Sequence, residues 1–457
     1  MDGPSLQEQL ETLQAQVREL RQALAERDAR IAELEEELKR RGKSYRPKAN
    51  RKTSGKKTDR RRRPHRKHGG HFRAVPTPDE SQIEHHDVYA EECPGCQGQR
   101  LQPTGEYQDH MQTEIPQPRV EYHRYRRHQM ECLDCGRRFS GRGDLELPHA
   151  HIGPRARLLV GYARAHLGIS LEKTCDLLDQ LWGLSLSRAG ALGHVKWGGN
   201  LFAPVVQRLL ELLRQADVVH ADETGWRIDG RNVWAWCFCN PRLAVYLIDQ
   251  RRSSQVLIET LGPSLPGVLV TDFYAAYNRI DARKQRCLTH LLRELHQLGE
   301  TLPKIHVTLH IRPLIELFQN AIALAKRRGQ LSAKAYDAAC DEIYQRFGDR
   351  VTRHSNNANC RRIYKRLHTY VDELFTFLEQ PHVPPENNAA ERDIRSVAAA
   401  RSDGGVNRSP EGAAAFANLK SIIRTCQKNG RNFIDYGLHI IRSLIPTEPL
   451  PLPLDER

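Results

Sequence analysis

The first pattern along the chain is a repeat of apolar residues at spacings of three and four between residues 6 and 38. Charged residues and Gln fill the other faces, and Arg27 is the one lapse. About four to five heptads of this kind predict a coiled coil over residues 1–40 and self-association through it. An amphipathic helix packed on its own domain is the alternative. The seam residues are Leu6, Leu10, Leu13, Val17, Leu20, Leu24, Ile31, Leu34 and Leu38.

Residues 150–215 show helical apolar spacing in "PRARLLVGYARAHLGIS" and "SLEKTCDLLDQLWGLSLS". Gly168 separates the two helical patterns, Gly183 follows the second, and Ser170 and Ser187 stand where N-caps are expected. Short helices joined by glycine turns fit a DNA-reading helix-turn-helix and a plain helical bundle equally well.

From about residue 216 the apolar period changes from helical to alternating. "VVHADETGWRI", Asp229-Gly230 and "NVWAWCFCN" predict a β-hairpin, and "LAVYLIDQ" predicts a third strand. "SSQVLIETLG" predicts a short helix, and "GVLVTDFYAAYN" a further strand with Asp272 at its end. Residues 301–380 have a helical pattern, and a helix begins after the double proline of "PPENNAAERDIRSVAAA". The Pro-rich tail, residues 446–457, is expected to be irregular.

The charge of the chain is concentrated in one segment. The whole chain carries 70 Lys and Arg against 56 Asp and Glu. Seventeen of these basic residues and one acid, Asp59, lie between Lys39 and Arg73, so this stretch has a net charge of +16, while the rest of the chain sums to about −2 of the formal +14. It has almost no aliphatic residues, which predicts a disordered basic arm over residues 41–80 that binds a polyanion through its phosphates. A solvated linker without a partner is the alternative.

The sequence shows no signal peptide and no apolar run of the ~20 residues that span a bilayer. We therefore expect a cytoplasmic protein without a membrane partner. Eleven cysteines in a reducing compartment favour metal binding over disulfides where the cysteines are closely spaced.

Two Cys-x-x-Cys pairs, Cys93 with Cys96 and Cys132 with Cys135, meet that condition. Four thiolates can close one structural Zn²⁺ site, so a zinc ribbon is predicted over residues 85–145, with an iron–sulfur or redox pair as the alternative. "VEYHRYRRHQMECLDC" alternates as a strand would, which predicts an extended hairpin between the pairs. Arginines around the second pair are compatible with DNA contact and with a solvated charged face.

Three acids stand out by their position along the predicted elements. Asp222 lies in the first strand of the hairpin, Asp272 ends a later strand, and Glu391 lies in the helix after "PPENN". Taken singly, each acid has an ordinary structural role, for example a helix pair between Glu391 and Arg395. Together, in this order, they form the arrangement that an RNase H-like site requires, in which two divalent cations, Mg²⁺ or Mn²⁺, serve phosphoryl transfer.

At these residues the chain resembles the insertion-sequence 66 family of DDE transposases. "CPGC…ECLDC" is similar to the family's zinc-binding region, while "ADETGWRI" and "TDFYAAY" resemble its two Asp motifs. "CLTHLLREL" resembles its Cys-His-Arg segment, and "NNAAERDIR" with "SIIRTCQKNGRNFIDYGL" resembles its third-acid region and C-terminal block. The resemblance implies Asp222, Asp272 and Glu391 as the metal-binding triad, with Glu386 as the alternative third acid.

The resemblance also implies a function. We expect a transposase that binds terminal inverted repeats, cleaves the 3′ ends of its element and transfers them into target DNA. Small accessory proteins of the same element are further expected partners, and the location is the bacterial cytoplasm near the nucleoid. The alternatives are an inactive or domesticated copy acting as a DNA-binding regulator, and an RNase H-like structure-specific nuclease.

The expected fold is therefore a multidomain chain of the α+β and α/β classes. Its predicted parts are the coiled coil (1–40), the basic arm (41–80), a zinc-ribbon DNA-binding module (85–145), a helical segment (150–215), an RNase H-like DDE catalytic domain (216–445) with a helical insertion at about 301–380, and the tail (446–457).

Overall fold

The computed structural model describes Gln22 and residues 78–108, 111–115, 118–402, 407–443 and 451–454. The coiled-coil seam and all of the basic arm except residues 78–80 lie outside the described residues. The chain divides into two compact units, Met1–His110 and Met111–Arg457. In the first unit, the described part contains one short 3₁₀ helix, Glu80–Gln82, and the turn that carries Cys93 and Cys96.

The second unit contains two sheets. The smaller one pairs two three-residue strands in antiparallel fashion on either side of the second cysteine turn. Residues 118–128 are not in a strand, so the extended hairpin predicted between the cysteine pairs is wrong for these residues. The strands of the unit are β1 (Gln129–Glu131), β2 (Arg138–Ser140), β3 (Val218–Ile228), β4 (Arg231–Cys239), β5 (Ala244–Asp249), β6 (Ser264–Thr271) and β7 (Asp281–Arg286).

The described part of the second unit also contains α-helices. They are α1 (Pro154–Tyr162), α2 (Leu171–Trp182), α3 (Arg188–Arg214), α4 (Ser254–Leu261), α5 (Leu288–Thr301), α6 (Lys304–His306), α7 (Arg312–Lys326), α8 (Ala333–Val351), α9 (Ala358–Thr369), α10 (Thr376–Glu379), α11 (Asn388–Ser402), α12 (Pro410–Lys428) and α13 (Phe433–Arg442).

The larger sheet has the strand order β5-β4-β3-β6-β7. The meander β3-β4-β5 is antiparallel, whereas β6 and β7 run parallel to β3. The predicted hairpin is confirmed, and its turn has positive φ at Asp229 (47°) and Gly230 (75°), as a tight two-residue turn requires. The first strand of the hairpin, β3, is the central strand of the sheet, and the strand that ends before Asp272 pairs beside it.

The helices between residues 150 and 215 begin and end as the sequence predicts. The hydroxyls of Ser170 and Ser187 accept backbone N–H groups at the starts of α2 and α3, and Gly183 ends α2 in the left-handed conformation. Helix α3 lies against α12 so closely that a Cβ on Gly199 would be 2.4 Å from the Cα of Ala415. One face of α3 is therefore packed against α12 within this unit.

Strand β7 was missed by sequence reasoning because its residues, "DARKQR", are polar. Yet Lys284, Gln285 and Arg286 are buried. The Arg286 guanidinium donates to Glu373 (2.5 Å), and the Gln285 amide donates to the carbonyl of Leu374 (3.1 Å). Burial of such side chains depends on partners almost ninety residues away in the chain, which no local pattern reveals.

Helices occupy most of the chain between residues 288 and 379, in agreement with the helical pattern of residues 301–380. They pack around a second hydrophobic cluster, which includes Leu291, Phe318 and Phe375. Successive residues of β6 pack on opposite faces of the sheet. Val268 and Val270 belong to this second cluster, whereas Leu269 belongs to the larger core. The sheet thus connects the helical segment to the region that carries the acids.

Candidate functional site

Asp222 and Asp272 lie on neighbouring parallel strands of the larger sheet. Asp222 is in β3, opposite Cys237 of β4, and Asp272 is the first residue after β6. The Oδ1 atom of Asp272 accepts the backbone N–H of Tyr274 (2.8 Å), which fixes this carboxylate at the end of its strand. Both acids are half-buried.

Glu391 reaches the same region from a helix. It lies in the first turn of α11, which packs against β3 and β4. Its side chain is 19% exposed, and its Oε1 atom is 3.6 Å from Nδ1 of His290.

The electrostatics of Asp222 show that these acids form one cluster. Burial, above all, raises the pKa of Asp222 to about 7 from its ordinary value of 3.8. The negative charges of Glu223, Asp272 and Glu391 raise it further, while the backbone N–H of Glu223, which donates to Oδ1 (2.9 Å), works in the opposite direction. The positive charge around Asp222 is therefore too small to stabilise its ionised form.

Glu223, the neighbour of Asp222, lies in a different environment. Its carboxylate is 2% exposed, accepts two bonds from Arg252 (3.0 and 2.7 Å), and accepts the hydroxyl of Tyr277 (2.5 Å). The Arg252 guanidinium is stacked between the rings of Trp234 and Tyr274, at 4.4 and 4.3 Å. Strand alternation sends the two acids to opposite faces, and the charge of Glu223 is compensated by protein groups.

Glu386, the alternative third acid, lines a cavity of about 580 Å³ together with Asp217, His220 and Arg392. It is not among the charged groups that raise the pKa of Asp222, whereas Glu391 is. The structure thus brings Asp222, Asp272 and Glu391 together and directs Glu386 into this cavity.

Asn387 connects the segments that carry the acids, and sequence reasoning missed it. Its side-chain amide donates to the carbonyl of Ala221, just before Asp222 (2.8 Å), and its Oδ1 pairs with Nδ1 of His220 (2.9 Å). Its backbone N–H donates to Sγ of Cys287 (3.2 Å), and its carbonyl accepts the N–H of Glu391 (3.1 Å). The available signal was an Asn directly before a helix, a position that favours this residue for capping.

The three acids fit a divalent cation. Carboxylate oxygens are the ligands that Mg²⁺ and Mn²⁺ prefer. A buried carboxylate crowded by like charges, with its pKa raised to about 7, is stabilised when a cation supplies the missing positive charge.

The cysteine pairs lie one in each compact unit, and each forms a tight turn. In the first unit, the N–H of Cys93 donates to the carbonyl of Gly98 (2.9 Å), and backbone N–H groups of Cys96 and Gly95 lower the pKa of the Cys93 thiol. In the second unit, the N–H of Cys132 donates to the carbonyl of Arg137 (2.9 Å).

The thiol of Cys132 also has a lowered pKa, because the backbone N–H groups of Cys135 and Asp134 interact with it. A stabilised thiolate with a second cysteine three residues later in a tight turn suits zinc. Each pair by itself therefore offers two ligands of the kind that Zn²⁺ binds.

The fold and the acid cluster define a class of protein. A mixed sheet of this order, flanked by helices and carrying an acid on its central strand, is compatible with an RNase H-like domain. The model of the transposase IS66 family matches residues 150–415, which is more than half of the chain. The chain therefore belongs to the IS66 transposase family.

Three relatives come from Sinorhizobium fredii (strain NBRC 101917 / NGR234). The uncharacterized protein y4jO is 26% identical over 151 residues, which are 33% of this chain and 45% of the relative. The uncharacterized proteins y4qI and y4jD are 21% and 23% identical, covering 56% and 54% of this chain and 52% and 54% of their own lengths. The chain thus spans about half the length of these relatives. Among the described residues, no helix combines the length and apolar character of a membrane span.

Proposed function

We propose that this chain is a DNA transposase in which Asp222, Asp272 and Glu391 hold two divalent cations, Mg²⁺ or Mn²⁺. The observation that carries the proposal is the convergence of these acids at two parallel strands and a helix, where burial and like charges raise the pKa of Asp222 to about 7. Membership of the IS66 family supports the reaction class.

The proposed reaction consists of two transfers at phosphorus. Bound divalent cations would activate the attacking oxygen and stabilise the leaving 3′ oxygen. First, a water oxygen bonds to phosphorus at the element end, the bond from phosphorus to O3′ breaks, and the 3′ oxygen takes up a proton. That 3′-hydroxyl then attacks a phosphorus of target DNA, where another bond to O3′ breaks, without a covalent intermediate on the protein.

The protein's part in this chemistry is to hold three carboxylates rigidly. Asp222 lies in the central strand, Asp272 is fixed by the N–H of Tyr274, and Glu391 lies on a helix that Asn387 connects to the strand of Asp222. Rigid elements keep such groups in position, so little reorganisation accompanies the reaction.

We further propose that other parts of the chain bind and pair the DNA ends. The cysteine module, with one Zn²⁺ held by Cys93, Cys96, Cys132 and Cys135, and the helical segment 150–215 would bind the terminal inverted repeats. The basic arm would add phosphate contacts, whose affinity falls steeply with salt. The coiled coil would bring two protomers and two ends together, and small proteins of the same element would be further partners.

The test is cleavage of a labelled duplex that carries an element end, with Mg²⁺ and target DNA. Asp222→Asn and Glu391→Gln should lower cleavage and strand transfer by about 10³-fold or more, the scale on which a transition-state electrostatic contact acts. The matched controls Glu223→Gln and Glu386→Gln should retain most activity. Full activity of Asp222→Asn would refute the triad. If Glu386→Gln lost activity while Glu391→Gln retained it, Glu386 would be the third acid in place of Glu391.

Two other outcomes would replace the proposed activity. Binding of the ends without nicking in Mg²⁺ or Mn²⁺ would indicate a DNA-binding regulator. Cutting of branched DNA without strand transfer would indicate a structure-specific nuclease.

A further inference from the structure

A second group of metal-binding side chains borders the acid cluster. Cys287, His290 and Glu391 each offer a ligand atom, and these atoms all lie within 4.8 Å of one another. Cys287 follows β7 and directly precedes α5, His290 lies in the first turn of α5, and Glu391 comes from α11. The group thus combines two residues near one helix start with a residue from another helix.

Two buried atoms of the group have no hydrogen-bond partner among the residues that the structure describes. They are Nδ1 of His290 and Oε1 of Glu391, which lie 3.6 Å apart. This separation is too long for a hydrogen bond. It is close to about 3.4 Å, the distance that separates two ligand atoms of a tetrahedral Zn²⁺ whose Zn–N and Zn–O bonds are about 2.0–2.2 Å long. A cation between the two atoms would satisfy both.

The sulfur of Cys287 completes the set. The thiol is buried and accepts the N–H of Asn387 (3.2 Å), and the backbone N–H groups of Thr289 and His290 also interact with it. These N–H groups belong to the residues two and three positions after Cys287. The N–H groups that interact with the thiols of Cys93 and Cys132 come from the same relative positions. Cys287, at a helix start, thus shares with the two Cys-x-x-Cys turns these backbone N–H groups near its sulfur, and His290 stands where the second thiol of each turn stands.

We propose that Cys287, His290 and Glu391 form a transition-metal site of the Zn²⁺ class, with water as the fourth ligand. A thiolate, an imidazole and a carboxylate suit Zn²⁺ rather than Mg²⁺, which prefers oxygen ligands. This site is separate from the four-cysteine site. The ion binds Oε1 of Glu391 and leaves Oε2 free for the acid cluster, so it fixes the orientation of that carboxylate. Only this consequence rests on the proposed function.

The alternative is a purely structural role for the same residues. Cys287 would then act as a helix cap, and a protonated His290 would form an ion pair with Glu391. Because that arrangement binds no metal, the zinc content of the protein separates it from the proposed site.

The experiment measures zinc in the purified full-length protein by mass spectrometry, after dialysis against zinc-free buffer. Cys287→Ser and His290→Ala should each lose about one Zn²⁺ per chain relative to the unsubstituted protein. Cys426→Ser, which removes another buried thiol, should lose none. His290 is 35% exposed, so its substitution tests the site with little disturbance of the core. Unchanged zinc content in both site variants would overturn the proposal.

Cobalt substitution gives a second readout that does not depend on DNA. In Co²⁺-loaded protein, Cys287→Ser should lose part of the sulfur-to-cobalt absorption, and Cys132→Ser should lose a different part. The same absorption in Cys287→Ser as in the unsubstituted protein would count against the site. If Asp222→Asn cleaved DNA normally while Cys287→Ser still lost zinc, the triad would fall and the zinc site would stand.

Discussion

Asp222→Asn is the sharpest test of the acid cluster, because it predicts opposite effects on activity and stability. Asparagine has nearly the same shape and can still accept the N–H of Glu223 at Oδ1. It removes a charge that burial, Glu223, Asp272 and Glu391 all disfavour. We therefore expect the metal-free variant to be more stable than the unsubstituted protein near pH 8, although it no longer cleaves DNA.

The magnitude follows from the raised pKa. Asp222 titrates near 3.8 in the unfolded chain and at about 7 in the folded one. Between these values the folded state holds a proton that the unfolded state releases, so the free energy of unfolding falls as pH rises from about 4 to about 7. Three pKa units correspond to about 4 kcal/mol at most. Relaxation of the site reduces this, and we expect the variant to gain about 2–3 kcal/mol at pH 8.

The assay is urea denaturation of both full-length proteins in a chelator, at several pH values between 4.5 and 8. The gain should be small at pH 4.5, grow towards pH 7 and then level off. Mg²⁺ should stabilise the unsubstituted protein more than the variant, because the cation binds the folded state and relieves the repulsion that Asn has already removed.

The control is Asp217→Asn, which removes an exposed carboxylate just before β3. It should change stability by less than about 0.5 kcal/mol at any of these pH values. A variant Asp222→Asn that is less stable than the unsubstituted protein at pH 8 without metal would refute the reasoning. The charge of Asp222 would then already be compensated within the folded protein.

Three further predictions concern the surroundings of the cluster. Asn387→Ala should lower the free energy of unfolding by about 2–4 kcal/mol, because it leaves buried groups of Ala221 and His220 unpaired. A loss below about 1 kcal/mol in urea denaturation would contradict this. Glu223→Gln should destabilise by about 1–3 kcal/mol and still cleave DNA, so abolished cleavage by a folded variant would show a catalytic role. In thermal denaturation Gly199→Ala should lower the melting temperature, since its Cβ would collide with the neighbouring helix, whereas Gly193→Ala, with open space around it, should raise it slightly.

The sequence predicted those parts of the fold that local patterns determine. The hairpin of β3 and β4 followed from alternation and an Asp-Gly turn, and the caps at Ser170 and Ser187 followed from side-chain chemistry. The sequence also predicted that Asp222 lies in the first strand of the hairpin and that Asp272 follows a later strand, because apolar alternation marks both strands.

What the sequence could not predict depends on distant partners. Strand β7 is polar in sequence and buried in the fold because Glu373 and Leu374 satisfy its side chains. Glu386 and Glu391 occur in the same short motif, and only the direction of α11 places Glu391 with the other acids. The role of Asn387 depends on a carbonyl 166 residues away.

The contrast between Asp222 and Glu223 shows why charge balance is the useful guide to this site. Both acids are in one strand, and the pKa of each is raised mainly by burial. The protein compensates Glu223 with Arg252 and Tyr277, which makes it part of the scaffold. It leaves Asp222 facing Asp272 and Glu391, an arrangement that lowers stability unless a cation is added. A bound cation would remove this cost at the central strand, and this supports the proposed cation site at Asp222, Asp272 and Glu391.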